Sequence, residues 1–229
     1  MSGLDPNHCL GATTFIDSDS GRIRGCLEEL NVSDRSDADR AIALFDFVRD
    51  SIAYDFAAPT TPEAYRASAI LENGRGHCVR KAILLSALAR AADIPTALVF
   101  ADLRDHSLSA EIVKLMGTDI LHHHGLVAFY LGGQWLKADP TTPRLSAAKK
   151  GIRLVAFDGT GDALGHSTLE GGRQHLEYVA FHGMYEDMPF VEVMRSLAEN
   201  YSKGNSSRFK DLGLSASNDF EAAANAYSE

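Results

Sequence analysis

Cys78, the triplet His122-His123-His124 and Asp139 are the residues whose types and order suit one chemistry, attack by an ionised thiol. A thiol becomes an effective nucleophile when an imidazole takes its proton and a carboxylate fixes the tautomer of that imidazole. Cys78 stands where a polar segment with two glycines, Gly74 and Gly76, runs into the Ala- and Leu-rich stretch 79–92. That stretch contains no Gly or Pro and predicts a helix with Cys78 at its N-terminus. There the unpaired N–H groups and the positive end of the helix dipole favour a thiolate. The competing reading is packing, because a free cysteine behaves as a small hydrophobe.

The elements that would position these groups are legible around them. Apolar residues on every face of 79–92 (Ala82, Ile83, Leu84, Leu85, Ala87, Leu88) predict a helix buried most of the way round. Gly132-Gly133 between GLVAFYL and QWLKAD predicts a tight hairpin. With the turn centred there, paired residue numbers sum to about 265, so His124 and Asp139 fall at the same open end. A carboxylate there can bond one imidazole nitrogen while the other faces the thiol. In an extended segment His122 shares a face with His124, which makes it the fallback base, and His123 points the opposite way.

Elsewhere, Ser33 or Ser36 can cap a helix through 37–54 with one buried stripe, and Pro62 fits the first turn of a helix through 62–72. Strands are predicted at 96–102 and 153–157 and, more weakly, at 13–16, where Gly21 and Gly25 break the pattern that follows. Residues 103–121 read as an excursion with its own helix ended by Gly117. Pro189 precedes a helix through 191–202, and a last short helix at 218–227 can dock or fray. DGTGDALG (158–165) resembles a cation loop but lacks the later glutamate of a calcium loop.

The 229 residues, 45% hydrophobic and 23% charged, are enough for a substantial core in one domain spanning 1–229. A net charge of -9 without any basic run excludes nucleic acid as the main partner. Neither a signal peptide nor an apolar stretch long enough to cross a bilayer is present, so no membrane partner is expected. Three sparse cysteines suit a reducing cytoplasm, with Cys9 and Cys26 structural or incidental.

Taken together, the chain resembles the transglutaminase-like superfamily, the branch of papain-like folds with the order Cys, His, Asp. The resemblance lies in Gly76-His77-Cys78 leading into AILLSALARAADIP, in HGLVAFYLGGQWLKADPT, and in the upstream helix ending IAYDF. It covers roughly 37–142 and leaves 143–229 as an extension of the same domain. The family's usual His-Ala-Trp is His124-Gly125-Leu126, its acidic residue on that strand is Ala128, and Asp93 stands where Gly usually precedes Ile-Pro. The match selects His124 from the three histidines.

The resemblance implies an α+β fold, a core helix packed on an antiparallel sheet. It implies that Cys78 attacks an amide or other acyl carbon, His124 moves the proton and Asp139 orients His124, with no cofactor. The Cys78 N–H would donate to the oxyanion, with Asn73 as a candidate second donor. The implied partner is a peptide or protein amide, hydrolysed rather than cross-linked by fold-level analogy. Trp135 is expected to pack beneath the hairpin. Three alternatives stand beside this reading: a zinc site made by Cys78, two histidines and Asp139; acyl transfer of the arylamine N-acetyltransferase type; and a non-catalytic binding module on the same fold.

Overall fold

The computed structural model describes residues 4–201 and 215–228. Its centre is α4 (Cys78–Ala91), in which every residue from Val79 to Arg90 is buried. Each large apolar side chain enclosed there contributes about 2 kcal/mol. Three cations share that interior, and each is satisfied by backbone carbonyls. Arg80 donates to Ala64, Lys81 to Arg49, Ile52 and Thr141, and Arg90 to Gly11, Thr96 and Glu186. These bonds tie the core helix to the loops around it.

Helices α1 (Gly21–Leu30), α2 (Asp37–Ser51) and α3 (Ala67–Asn73) pack on α4. Ser36 is the cap of α2, accepting from the Asp39 N–H. After α2 the chain becomes extended, and β1 (Ala53–Tyr54) pairs in parallel with β2 (Arg75–Gly76) just ahead of α4. On the other side lies an antiparallel sheet in the order β5-β4-β3-β6, formed by β3 (Thr96–Asp105), β4 (Ile120–Leu131), β5 (Gln134–Ala138) and β6 (Leu176–Tyr185). The mixture of helix and antiparallel sheet is α+β, as expected.

Leu98, Phe100, Val127 and Phe129 turn toward the core that holds α4. Val99, Ala101, Leu126 and Ala128 form a second cluster on the opposite face, covered by Trp135, Leu164, Tyr178 and Met184. Trp135 also packs on its cross-strand partner Tyr130, ring centroids 5.2 Å apart. The excursion carries α5 (Ala110–Met116), capped by Gly117 in the left-handed region, and α6 (Arg144–Lys150) follows the hairpin. Helices α7 (Phe190–Tyr201) and α8 (Ser217–Ser228) lie against each other. Helix α8 docks: Phe220 and Ala224 are buried, and Tyr227 packs on Phe15 and Phe190.

The helix expected through 37–54 stops at Ser51, ahead of β1, and four other sequence expectations change. Residues 13–16 form no strand, and 21–30, read as broken by Gly21 and Gly25, form α1 with Ser20 as its cap. The helix over 62–72 divides into a 3-10 turn, Pro62–Tyr65, and α3, because Arg66 is extended. Residues 153–157 form no strand: the Val155 carbonyl accepts from Arg49 and the Leu154 carbonyl bonds the His166 ring, in place of a sheet neighbour. No helix among the described residues is long and apolar enough to cross a membrane.

Candidate active site

The hairpin register is Val127↔Ala138 to Leu131↔Gln134, so Asp139 follows β5 at the end where His124 sits on β4. Their side chains meet. Nε2 of His124 lies 2.9 Å from Oδ2 of Asp139, and both residues are buried. The imidazole N–H therefore donates from Nε2, leaving Nδ1 as the basic nitrogen. The other carboxylate oxygen of Asp139 accepts the Thr141 N–H at 3.0 Å. The Asp139 N–H in turn donates to the Ala163 carbonyl. The Asp- and Gly-rich loop thus clips onto the hairpin edge beside Asp139. Its own carboxylates are engaged within the protein, Asp158 by Thr160 and Asp162 by Lys137.

Helix α4 starts at Cys78 itself, and His77 occupies its cap position in extended conformation. What brings this helix end to His124 is Gly125. A Cβ there would lie 2.6 Å from the Val79 Cα and 3.0 Å from the Val79 nitrogen. The strand backbone is pressed against the first turn of the helix, and only a residue without a side chain allows it. Gly125→Ala should force the two apart. The expected cost is about 1–3 kcal/mol of stability by overpacking, with the Cys78 thiol less reactive as His124 moves away from it. Denaturant unfolding and the rate of Cys78 alkylation measure the two effects separately.

Three charges are linked. Burial alone would raise the Cys78 thiol, but the His124 charge and side-chain hydrogen bonding from His124 and His77 bring it down to about 5. Burial alone would lower His124, yet the charges of Asp139 and Cys78 hold it well above the ordinary imidazole value. Burial opposes ionisation of Asp139 too, and His124 together with the Thr141 N–H keeps it below the usual carboxylate range. Nδ1 of His124 has no well-aligned hydrogen bond of its own. The Cys78 sulfur and the His124 ring are near enough for each to favour the charged form of the other. The favoured state is thiolate, imidazolium and carboxylate in a row.

Cys78 is half-buried and opens into a cavity of about 90 Å³ with Tyr54, Phe56, Leu121, Val193 and Tyr201 in its wall. Asn73, the candidate second oxyanion donor, is exposed at the end of α3 and is not part of that wall. His122, the fallback base, does line the cavity, but its ring is engaged by Asp102 at 3.1 Å. The regular alternation across the triplet is broken. His124 pairs with Ala101 and Leu121 with Leu103, so His122 and His123 together oppose Asp102, with His123 at φ 51°. This bulge separates the roles of the three histidines. Sequence reasoning missed His77, whose only signal is adjacency to Cys78, and Lys81, one turn into the helix.

Comparison with known proteins adds the following. A structure named "putative cysteine protease" from Cytophaga hutchinsonii is 18% identical with a TM-score of 0.47, the alignment covering 80% of this chain and 55% of that one. A "putative protease" from Parabacteroides distasonis is 13% identical with a TM-score of 0.36, covering 68% of this chain and 31% of that one. This chain therefore spans about half of the first and under a third of the second. No curated protein matches it. The family model described as the transglutaminase-like superfamily matches residues 25–140, slightly more than half the chain, so the protein belongs to the transglutaminase-like superfamily.

Proposed function

We propose that the protein is a cysteine enzyme that cleaves or transfers an amide or acyl group through a thioacyl intermediate, most readily as a peptidase or amidohydrolase. The observation that carries this reading is the 2.9 Å bond between His124 Nε2 and Asp139, which leaves Nδ1 for a thiol already held near 5. Cys78 is the nucleophile, His124 the acid and base, and Asp139 the group that orients the ring.

The thiolate attacks the carbonyl carbon, forming an S–C bond and a tetrahedral oxyanion. The Cys78 N–H at the start of α4 is one donor to that oxygen. The imidazolium gives its Nδ1 proton to the leaving nitrogen as the C–N bond breaks, leaving a thioester. Water then attacks with Nδ1 taking its proton, and the sulfur departs as thiolate. That step restores the starting ion pair. An amine in place of water gives transfer. The apolar and aromatic wall beside Cys78 suits a side chain or backbone segment of a peptide or protein amide.

The test is incubation with a library of glutamine- and amide-containing peptides, followed by mass analysis. The expected result is an adduct on Cys78 equal to the peptide less the leaving amine, absent from Cys78→Ser. A chain that forms no such adduct, and whose Cys78 reacts no faster than a free cysteine, is a binding module.

A further inference from the structure

A second cluster lies on the other side of the bulge that separates the histidines. Three adjacent strands contribute to it: Asp102 from β3, His122 and His123 from β4, and His182 from β6, with Glu192 approaching from α7. Oδ1 of Asp102 lies 2.7 Å from His182 Nε2 and accepts the His123 N–H at 3.1 Å. Its Oδ2 meets His122 Nδ1 at 3.1 Å. Nε2 of His123 is 3.4 Å from Oε1 of Glu192, which also accepts the Tyr185 hydroxyl at 2.9 Å. All of these except Tyr185 line a cleft distinct from the wall around Cys78, although His122 and His123 border both.

We infer that Asp102, His123 and His182 form a binding site for one divalent transition-metal ion, with Glu192 on the other ring nitrogen of His123. Each of the first three offers an atom, and these atoms all lie within 4.8 Å of one another. A second, independent observation is the state of His123. Its side chain is only 9% exposed, and Nδ1 is buried without any hydrogen-bond partner. An ion-pair cluster serving only to dock α7 would have no use for that nitrogen. Two imidazoles with one carboxylate select zinc, manganese or ferrous iron over calcium or magnesium. The outer partners are present as well, since His122 holds the second oxygen of Asp102 and Tyr185 holds Glu192.

One adjustment is required. The rings of His123 and His182 are stacked, centroids 4.2 Å apart and 7° from parallel. Imidazole donates in its ring plane, so the rings must splay to converge on an ion. His182, whose side chain is 27% exposed, has the room to turn. This inference does not depend on the catalytic reading, because none of these ligands belongs to the Cys78–His124–Asp139 set.

The experiment uses the full chain carrying Cys78→Ser, which removes the thiolate as a competing ligand. Titration with Zn2+, and with Co2+ for its visible absorption, should give one ion per chain at low-micromolar affinity or tighter. His182→Ala and Asp102→Asn in that background should each weaken binding at least about tenfold. His182 lies near the surface, so its variant should keep the thermal midpoint of the parent and decides the matter if Asp102→Asn fails to fold. Absence of binding to the Cys78→Ser chain at about 100 μM ion, or binding unchanged by His182→Ala, overturns the inference.

Discussion

Exchange of His124 for alanine should lower the rate of acylation at least about 10³-fold, with the protein still folded. The variant loses the acid that protonates the leaving nitrogen and the cation that stabilises the Cys78 thiolate. Asp139→Asn should cost about 10²–10⁴-fold, since an amide carries no charge to stabilise the imidazolium and can turn its NH2 to the ring, which reverses the tautomer. His122→Gln should leave the pH dependence of acylation unaltered, because the His122 ring is committed to Asp102. Single-turnover acylation across pH measures all three. Loss in His122→Gln comparable to that in His124→Ala would move the base to His122 and contradict this assignment.

Lys81→Met should be strongly destabilising. The Lys81 ammonium is fully buried and donates to three carbonyls: those of Arg49 and Ile52 at the end of α2, and that of Thr141 beyond β5. Its three protons match three acceptors. Burial brings its value down to about 7, opposed by the charges of Asp139 and Asp50. A methionine would fill the space and leave all three carbonyls dry and unpaired, at about 3 kcal/mol or more. For a chain of this size that is a fall of roughly 10 °C in Tm. Thr141 also donates its N–H to Asp139, so activity should fall with stability. A variant melting within about 2 °C of the parent would mean that Lys81 does not hold these segments together.

Much of the site was legible because its determinants are local. Polar residues and glycines followed by an Ala- and Leu-rich run locate the start of α4, and the structure begins the helix at Cys78 itself, one residue earlier than the sequence-based range. Gly132-Gly133 sets the hairpin register, and the observed pairs sum to 265 throughout, as for Val127↔Ala138 and Leu131↔Gln134. That register alone puts His124 and Asp139 at one end. What escaped depends on distant partners. The bulge at His122 and His123 answers to β3, not to its own sequence. The strand β6 is interrupted by two register shifts and carries Glu, His and Gly, so no clean alternation marks it. Residues 153–157 read as a strand by their apolar, β-branched and aromatic content, yet the segment finds Arg49 and His166 where a strand would need a neighbour. Nothing in the sequence says where the charges of Arg80, Lys81 and Arg90 go in a helix buried most of the way round; each meets carbonyls from other elements.

The most direct measurement is the rate of Cys78 alkylation by iodoacetamide as a function of pH. Because the thiol is lowered to about 5 and its imidazole partner is raised, the thiolate should persist across the neutral range. Burial raises Cys9 and Cys26 above the ordinary thiol value, so those two should stay silent as internal references. The rate should be nearly flat between about pH 6 and 8 and fall by half near pH 5, with the profile displaced to high pH in His124→Ala. A Cys78 rate that climbs about tenfold per pH unit through the same window, as for an unperturbed thiol, would contradict it.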